Sequence, residues 1–433
     1  MNISDSLQNN IIIPSSALLV ILGFLNIPDL SSSSTLSKQF EKLASSDFLW
    51  EKFCITETKK NPCLHLRKEN AGWKKMLKSW RSSESWCWKK REWPQTLESD
   101  LNIPSRYLHR MATCPTNKDI MYVFGGSNLE FTFCDTWRFE NIDGDIQPHQ
   151  ISFHDSVHWP SPRFAASLTS CWGCIFLFGG ASHSQGDFHN DVWCLSQEKE
   201  RWVLCKTFEE GTGNPTEPEE RWAHTMVPFK SQMIMFGGSA PGKVFDDLWI
   251  LEPKESLDHC HTAVEDGIEV FKGLVWQQVE PTGNHPSSRC GHAAVIYENF
   301  MYVHGGNNAT GTYNDLWRIN LDTLQCWEEL SVQNTSIPAP RIGHSMFALD
   351  EKLIVYGGRD LHLQFYCEHV AIYDLNTSQW EVKALENEPK PRTGHSAVLW
   401  DNGILMFGGF VKESEDRQVF SNELHFLSFS DRL

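Results

Sequence analysis

The chain has 433 residues, with 38 Lys and Arg against 55 Asp and Glu and a net charge of −17. That length is too great for one ordinary compact core and requires a barrel, a repeat ring or more than one domain. The charge is uneven: residues 1–94 hold 14 basic and 9 acidic side chains and the remainder 24 and 46, which denies the long part the positive surface that bulk phosphate binding needs.

Residues 1–11 read as a tail. The run IIIPSSALLVILGFL at 11–25 is apolar but too short to span a bilayer, with no basic segment before it and no small-residue cleavage site after it. The 13 cysteines are an odd number without a regular ladder, as expected of reduced thiols. A soluble protein of the cytoplasm and/or nucleus follows as the expectation, with no membrane partner. Pro14 and Ser15-Ser16 open a helix whose apolar face is Leu18, Ile21, Leu22 and Leu25. A second helix carries Leu36, Phe40, Leu43 and Ala44, and a third Leu49, Trp50 and Phe53. Three short helices bury little core and gain stability from a partner.

The order Pro14, Leu18-Leu19, Ile21-Leu22, Leu25, Pro28-Asp29-Leu30, Ser37-Lys38, Phe40, Leu43-Ala44, Asp47, Leu49-Trp50 resembles the F-box over residues 12–54. Two positions depart from it: Ala17 stands where Leu is usual, and Ser31–Ser34 replace a more apolar stretch. The resemblance implies docking on a Skp-family adaptor, and through it a cullin–RING assembly. The residues implied to carry it are Pro14, Leu18, Ile21, Leu22, Leu25 and Pro28, with Leu49 and Trp50 packing the small domain. Residues 55–92 follow as a basic, Trp-rich linker, read as helical because Trp73, Leu77 and Trp80 share one helical face.

From about residue 93 one pattern repeats six times. An Arg, an apolar hairpin and a Gly-Gly pair recur at Arg106/Gly125-Gly126, Arg163/Gly179-Gly180, Arg221/Gly237-Gly238, Arg289/Gly305-Gly306, Arg341/Gly357-Gly358 and Arg392/Gly408-Gly409. A variable loop and an Asp-x-Trp-like strand come next, as in CDTWRF (134–139) and NDLWRI (314–319), and a further Trp often follows. Each unit reads as four short strands that cannot cover their own faces; six stacked around an axis can. The units resemble kelch repeats, which implies a mainly β, six-bladed propeller over 93–433. The last copy stops three strands in. The likeness of EWPQTLESDLNIPSR (92–106) to CWEELSVQNTSIPAPR (326–341) points to closure by a strand near Trp93, or Trp88.

In such a ring the repeat arginines fall near one mouth, where they either tie blades together or recognise acidic groups on a partner. Arg341 heads the second reading, with Arg289, Arg392 and Arg221 behind it. The loops after Gly-Gly form the expected binding face, and Arg359, His362, Phe365 and Tyr366 mix charge with aromatics there. His224, His292, His344 and His395 recur around an axis and do not converge as a metal shell would, so they read as structural. CWGC (171–174) falls on a turn between strands, not at a helix start. Neither catalytic residues nor a metal or cofactor is expected. The target-binding subunit of a Skp–cullin–F-box ubiquitin ligase is the implied function; the alternative is an interaction scaffold without a ligase role.

Overall fold

The computed structural model describes residues 86–429, apart from 94–102, 143, 152–158, 184–186, 198, 208–216, 255–260, 266–267, 331–335, 402 and 415–416. The expected F-box, its adaptor-facing residues and most of the linker lie outside the described residues. The described part is built of strands, with no helix among the described residues.

Six sheets, each with four antiparallel strands at its heart, follow one another along the chain; one of them is widened to six strands. From the innermost strand outward, blade 1 is Arg110–Thr113, Ile120–Phe124, Thr136–Ile142 and Asp145–Ile151, and blade 2 is Ser167–Cys171, Cys174–Phe178, Val192–Ser196 and Arg201–Cys205. Blade 3 is Thr225–Phe229, Gln232–Ala240, Lys243–Pro253 and Leu274–Val279; blade 4 is Ala293–Tyr297, Phe300–His304, Leu316–Asn320 and Trp327–Glu329. Blade 5 is Ser345–Leu349, Lys352–Tyr356, Val370–Asp374 and Gln379–Lys383. Blade 6 takes Ser396–Trp400, Gly403–Phe407 and Leu424–Ser428 from the end of the chain and Cys87–Arg91 from its beginning. The second strands are continuous apolar runs (CIFLF, KLIVY, GILMF) because neighbouring blades cover both of their faces.

The innermost strands touch in order, and the sixth touches the first, so the ring is closed. A belt of backbone hydrogen bonds runs round it just before those strands. Ala165 donates to Leu108, Ala223 to Ala165, Gly291 to Ala223, Gly343 to Gly291, Gly394 to Gly343 and Leu108 back to Gly394, at 2.6–2.9 Å. All six residues have φ between +52° and +67°. Blades 4 to 6 place Gly there; blades 1 to 3 hold Leu or Ala in the left-handed region at a cost of order 1 kcal/mol each. A second belt lies outside the first. The second Gly of each pair donates to the Arg carbonyl of the next blade, from Gly126 to Arg163 round to Gly409 to Arg106, at 2.8–3.0 Å. The first Gly of each pair also has no room for a side chain: a Cβ on Gly305 would lie 2.8 Å from the Arg341 carbonyl.

Aromatic clamps fill the seams between blades. The residue before each Gly-Gly receives the inner-strand His and an outer Trp of the following blade. Phe178 packs on His224 and Trp276, Phe236 on His292 and Trp327, His304 on His344 and Trp380, and Tyr356 on His395 and Trp88, with ring centroids 4.7–6.0 Å apart. Phe124 meets Trp202 alone, because Ala166 replaces the His in blade 2. These contacts separate the two candidate closing tryptophans. Trp88 lies on the strand that pairs with Leu424–Ser428 and serves blade 6. Trp93 lies beyond that strand. It packs on Phe407 and Phe139 and donates its indole N–H to the Asn422 carbonyl, which fills the clamp of blade 1, whose outer strand has no Trp. The basic residues Lys89, Lys90 and Arg91 are thus part of the sheet, and the propeller begins at Trp86, inside the segment read from sequence as a helical linker.

The insert of blade 3 supplies one feature the repeat does not contain. Its hairpin His261–Glu265 and Ile268–Lys272 crosses to blade 2 and adds to the outer strand Arg201–Cys205 in parallel, covering that edge.

Six of the seven histidines buried among the described residues line the blade seams and make the ring sensitive to acid. His109, His224, His292, His304, His344 and His395 are at most 7% exposed. Burial and the nearby arginines hold all six below the usual imidazole range, His292, His304 and His395 down to about 3. The unfolded chain therefore takes up protons below about pH 6.5 while the folded ring does not. Stability is full above that pH and falls as pH drops through it, by about 1.4 kcal/mol per pH unit for each such His. Thermal melts should show a flat Tm above pH 7 and a steep decline from pH 6.5 to 4.5. His304→Phe, which restores the aromatic found in the sister seams, should make that decline shallower.

Candidate interaction face

Each repeat Arg is a post at the entry to its own blade. Its Nε–H donates to the carbonyl two residues earlier, at 2.9–3.1 Å, and its Nη1 to the carbonyl of the first Gly of the pair, also at 2.9–3.1 Å. In blades 1 to 4 the guanidinium also grips an Asp two-pronged: Asp135, Asp191, Asp247 and Asp315, at 2.5–3.0 Å. The same carboxylate accepts from the indole of Trp137, Trp193, Trp249 or Trp317 at 2.6–2.8 Å. Asp-x-Trp has this spacing because residues two apart share one face of a strand. The arginine holds Asp191 and Asp315 below the usual carboxylate range despite their burial.

Blades 5 and 6 vary the theme. In blade 6 Glu423 takes the Asp place and His425 the Trp place. Glu423 meets Arg392 at 3.3 Å, His425 at 3.2 Å and, from the closing strand, Lys90 at 2.8 Å. In blade 5 the place belongs to His369, which turns away to Glu388 at 2.8 Å. Arg341 is then left with carbonyls alone among the described residues, and burial lowers its pKa.

This geometry corrects the recognition reading of the arginines. Arg221, Arg289 and Arg392 are fully buried and Arg341 is 3% exposed, with their donors committed inside their own blades. None of the four side chains offers a surface to a partner. The link between blades comes instead from their backbone carbonyls. The histidines of the Gly-His positions are likewise engaged: His224 with Ser167, His292 with Thr225, His395 with Ser345 and His344 with His304, at 2.9–3.1 Å. At the CWGC hairpin Cys171 pairs with Cys174 across the turn, and burial pushes the Cys171 thiol up to about 12.

The surface facing outward beyond the posts is made by the loops after Gly-Gly. The residue following each Arg bridges the start of its own blade's loop: Tyr107 to Ser127, Phe164 to Ala181, Trp222 to Ser239, Cys290 to Asn307, Ile342 to Arg359 and Thr393 to Phe410. Neighbouring loops join one another. His183 reaches Ser127 at 3.0 Å, Tyr366 reaches Gln418 at 3.2 Å, and Tyr107 packs on Phe410 and Phe420. The other ends of the blades carry mostly tight turns, such as those at Trp172-Gly173 and Lys230. Rigid blades with long variable loops on one side form an interaction face.

Of the face residues expected from sequence, Phe365 is 48% exposed and Arg359 half-buried, beside Tyr107 and Tyr366. Tyr366 itself is buried, its ring inside the loop and its hydroxyl on Gln418. Three exposed apolar side chains were not expected: Leu129 and Phe131 on the blade 1 loop and Leu363 on the blade 5 loop, 58–76% exposed. Their sequence sign is weak, because they share their loops with other apolar residues: Phe133 in blade 1, and Leu361, Phe365 and Tyr366 in blade 5.

A closed six-bladed ring of Arg/Gly-Gly/Asp-x-Trp units defines a propeller interaction module. The family model described as the KLHDC2/KLHL20/DRC7 Kelch-repeats domain matches residues 80–257, 159–358 and 264–432, and an F-box-like model matches 12–56. The chain belongs to the kelch-repeat family and carries an F-box-like segment. An F-box/kelch-repeat protein of Arabidopsis thaliana is 26% identical, covering 94% of this chain and 74% of its own length. Kelch domain-containing protein 2 of Bos taurus is 28% identical over 66% of this chain and 68% of its own length. The Leucine-zipper-like transcriptional regulator 1 homolog of Drosophila melanogaster is 24% identical over 69% of this chain, which spans only 29% of that protein. Together the F-box-like segment and the kelch ring make the chain an F-box substrate adaptor or protein-interaction module, an architecture typical of non-catalytic adaptors.

The position of Arg341, held by carbonyls without the carboxylate of blades 1 to 4, leads to a specific expectation. His369→Asp should return to blade 5 the carboxylate that blades 1 to 4 possess. A charge-assisted hydrogen bond to a buried guanidinium contributes about 1–3 kcal/mol, while the half-exposed His369–Glu388 pair contributes little. A rise in Tm of about 2 °C or more is expected by differential scanning fluorimetry; an unchanged or lower Tm would contradict the role assigned to the Asp.

Proposed function

We propose that this chain is the target-binding subunit of a Skp–cullin–F-box ubiquitin ligase. The observation that carries the reading is the presence in one chain of an F-box-like segment at 12–56 and a closed kelch ring with one loop-rich face. The N-terminal segment would dock on a Skp-family adaptor through Pro14, Leu18, Ile21, Leu22, Leu25 and Pro28. The loop face would hold a target protein. A cullin–RING assembly would then bring a charged ubiquitin-conjugating enzyme near a target lysine. The contribution of this chain is proximity: a second-order encounter becomes an intramolecular one at raised effective concentration. Its place of action would be the cytoplasm and/or nucleus.

The face residues proposed to meet the target are those on the surface: Leu129, Phe131, Leu363, Phe365 and Arg359. Exposed aromatics and an Arg among rigid loops have the composition of binding hot spots. A kelch scaffold without a ligase role is the second reading, favoured by the likeness to kelch proteins whose names carry no F-box, such as Kelch domain-containing protein 2.

Co-purification of the full chain with a Skp-family adaptor separates the two. The intact chain should retain the adaptor, and Pro14→Ala/Leu22→Asp should lose it with the propeller Tm unchanged. Failure of the intact, folded chain to bind would remove the ligase reading and leave the scaffold.

A further inference from the structure

Two departures from the repeat meet at one place that the interaction face does not use. The first residue of each innermost strand lines the central channel: Arg110, Ser167, Thr225, Ala293, Ser345 and Ser396. Five are small, and blade 1 alone has a long charged side chain. In blades 2, 3 and 5 the hydroxyl at this position is capped by the His of the following blade, as Ser167 is by His224. The blade that follows Arg110 has Ala166 where that His would be. Both members of the usual pair are therefore replaced at the seam of blades 1 and 2, the hydroxyl by a cation and its cap by a methyl group.

Arg110 is the one charged residue among those lining the cavity, whose volume is about 190 Å³. Its hydrogen bond is a long one, 3.3 Å to the carbonyl of its neighbour His109, and no carboxylate joins it among the described residues. The six repeat arginines, by contrast, each hold two carbonyls, and among the described residues all but Arg341 hold a carboxylate as well. Burial lowers the Arg110 pKa to about 10, which leaves it charged at neutral pH. The titratable groups that feel its charge are His109, His224 and His395, all held neutral, so among the described residues no negative group on the neighbouring strands balances it. A guanidinium half-buried in the channel without a counter-charge is left poorly compensated, and a bound anion would supply the missing charge.

We propose that the central channel is an anion site in which Arg110 binds one oxyanion, a carboxylate or a phosphate. The cavity is smaller than the roughly 300–1,000 Å³ of pockets for drug-sized ligands, so it takes a small ion or a single acidic side chain entering from the mouth. The site is independent of the ligase reading, since it requires only the ring.

The test uses the full-length chain at constant ionic strength, with sodium chloride replaced stepwise by sodium phosphate, sodium acetate or the capped tripeptide acetyl-Ala-Glu-Ala-amide. Wild type should show a saturable rise in Tm of about 2 °C or more with at least one probe. Arg110→Ser, which installs the residue of three sister strands, should show none. A rise with phosphate or acetate identifies a free anion as the occupant; a rise with the tripeptide alone identifies an acidic side chain. Equal shifts in wild type and Arg110→Ser, or no shift of wild type with any probe, would overturn the site. Calorimetric titration of wild type with phosphate and with the tripeptide keeps the test decisive if Arg110→Ser does not fold: heat that saturates at one site per chain supports it, and absence of binding heat refutes it.

Discussion

The structure hangs on a closed circle of six backbone hydrogen bonds. Each links one left-handed residue, from Leu108 to Gly394, to its counterpart in the next blade. The circle closes only if all six innermost strands start at the same height and lean by the same amount. That condition explains why a Gly, or an Ala or Leu held at positive φ, stands before every inner strand. It also explains the Arg. The chain must leave the outer strand of one blade and enter the next at a fixed level, and the guanidinium fixes that level by holding the carbonyl behind it, the first Gly ahead of it and, in most blades, a carboxylate. Hydrogen bonding sets the geometry, and the aromatic clamps between blades supply the buried apolar area that stabilises it.

Such a frame separates constancy from variation. What repeats faces inward or into the seams, and most of what varies lies on the loops after Gly-Gly. A surface of this kind can change its partner without changing its fold. The positions where the frame itself varies stand out against the repeat: His369 in place of Asp, Glu423 and His425 in place of Asp and Trp, Arg110 and Ala166 in place of Ser and His. The blade 6 variant has a local reason. Its outer strand comes from the other end of the chain and brings Lys90, which gives the larger Glu423 a second cation to satisfy.

The repeat was legible in the sequence because its key residues answer to steric and hydrogen-bonding demands few others meet. Gly-Gly sits where a Cβ would strike the next blade, and Asp-x-Trp follows the two-residue period of a strand. The roles of those residues were less legible. An Arg repeated near a mouth fits a binding ring as well as a buried post, and only its burial decides. Likeness to another fourth strand favours Trp93 over Trp88, yet the closing strand carries Trp88; the likeness misleads because both have an aromatic clamp to fill, one in blade 6 and one in blade 1. The hairpin at 261–272 left no signal because its partner strand belongs to a different blade, some 60 residues earlier. Leu129, Phe131 and Leu363 give no comparable signal, because apolar residues in an irregular loop carry no periodicity that tells an exposed tip from a buried anchor such as Tyr366.

If the circle governs the fold, the ring should open as one unit and not blade by blade. Hydrogen exchange resolved to the amides of Leu108, Ala165, Ala223, Gly291, Gly343 and Gly394 measures this directly. A common opening free energy for all six is the result that follows from a closed belt, together with an equal fall at all six when Trp88→Ser weakens the strand that closes blade 6. Graded protection, with the loss in Trp88→Ser confined to blades 5 and 6, would contradict it.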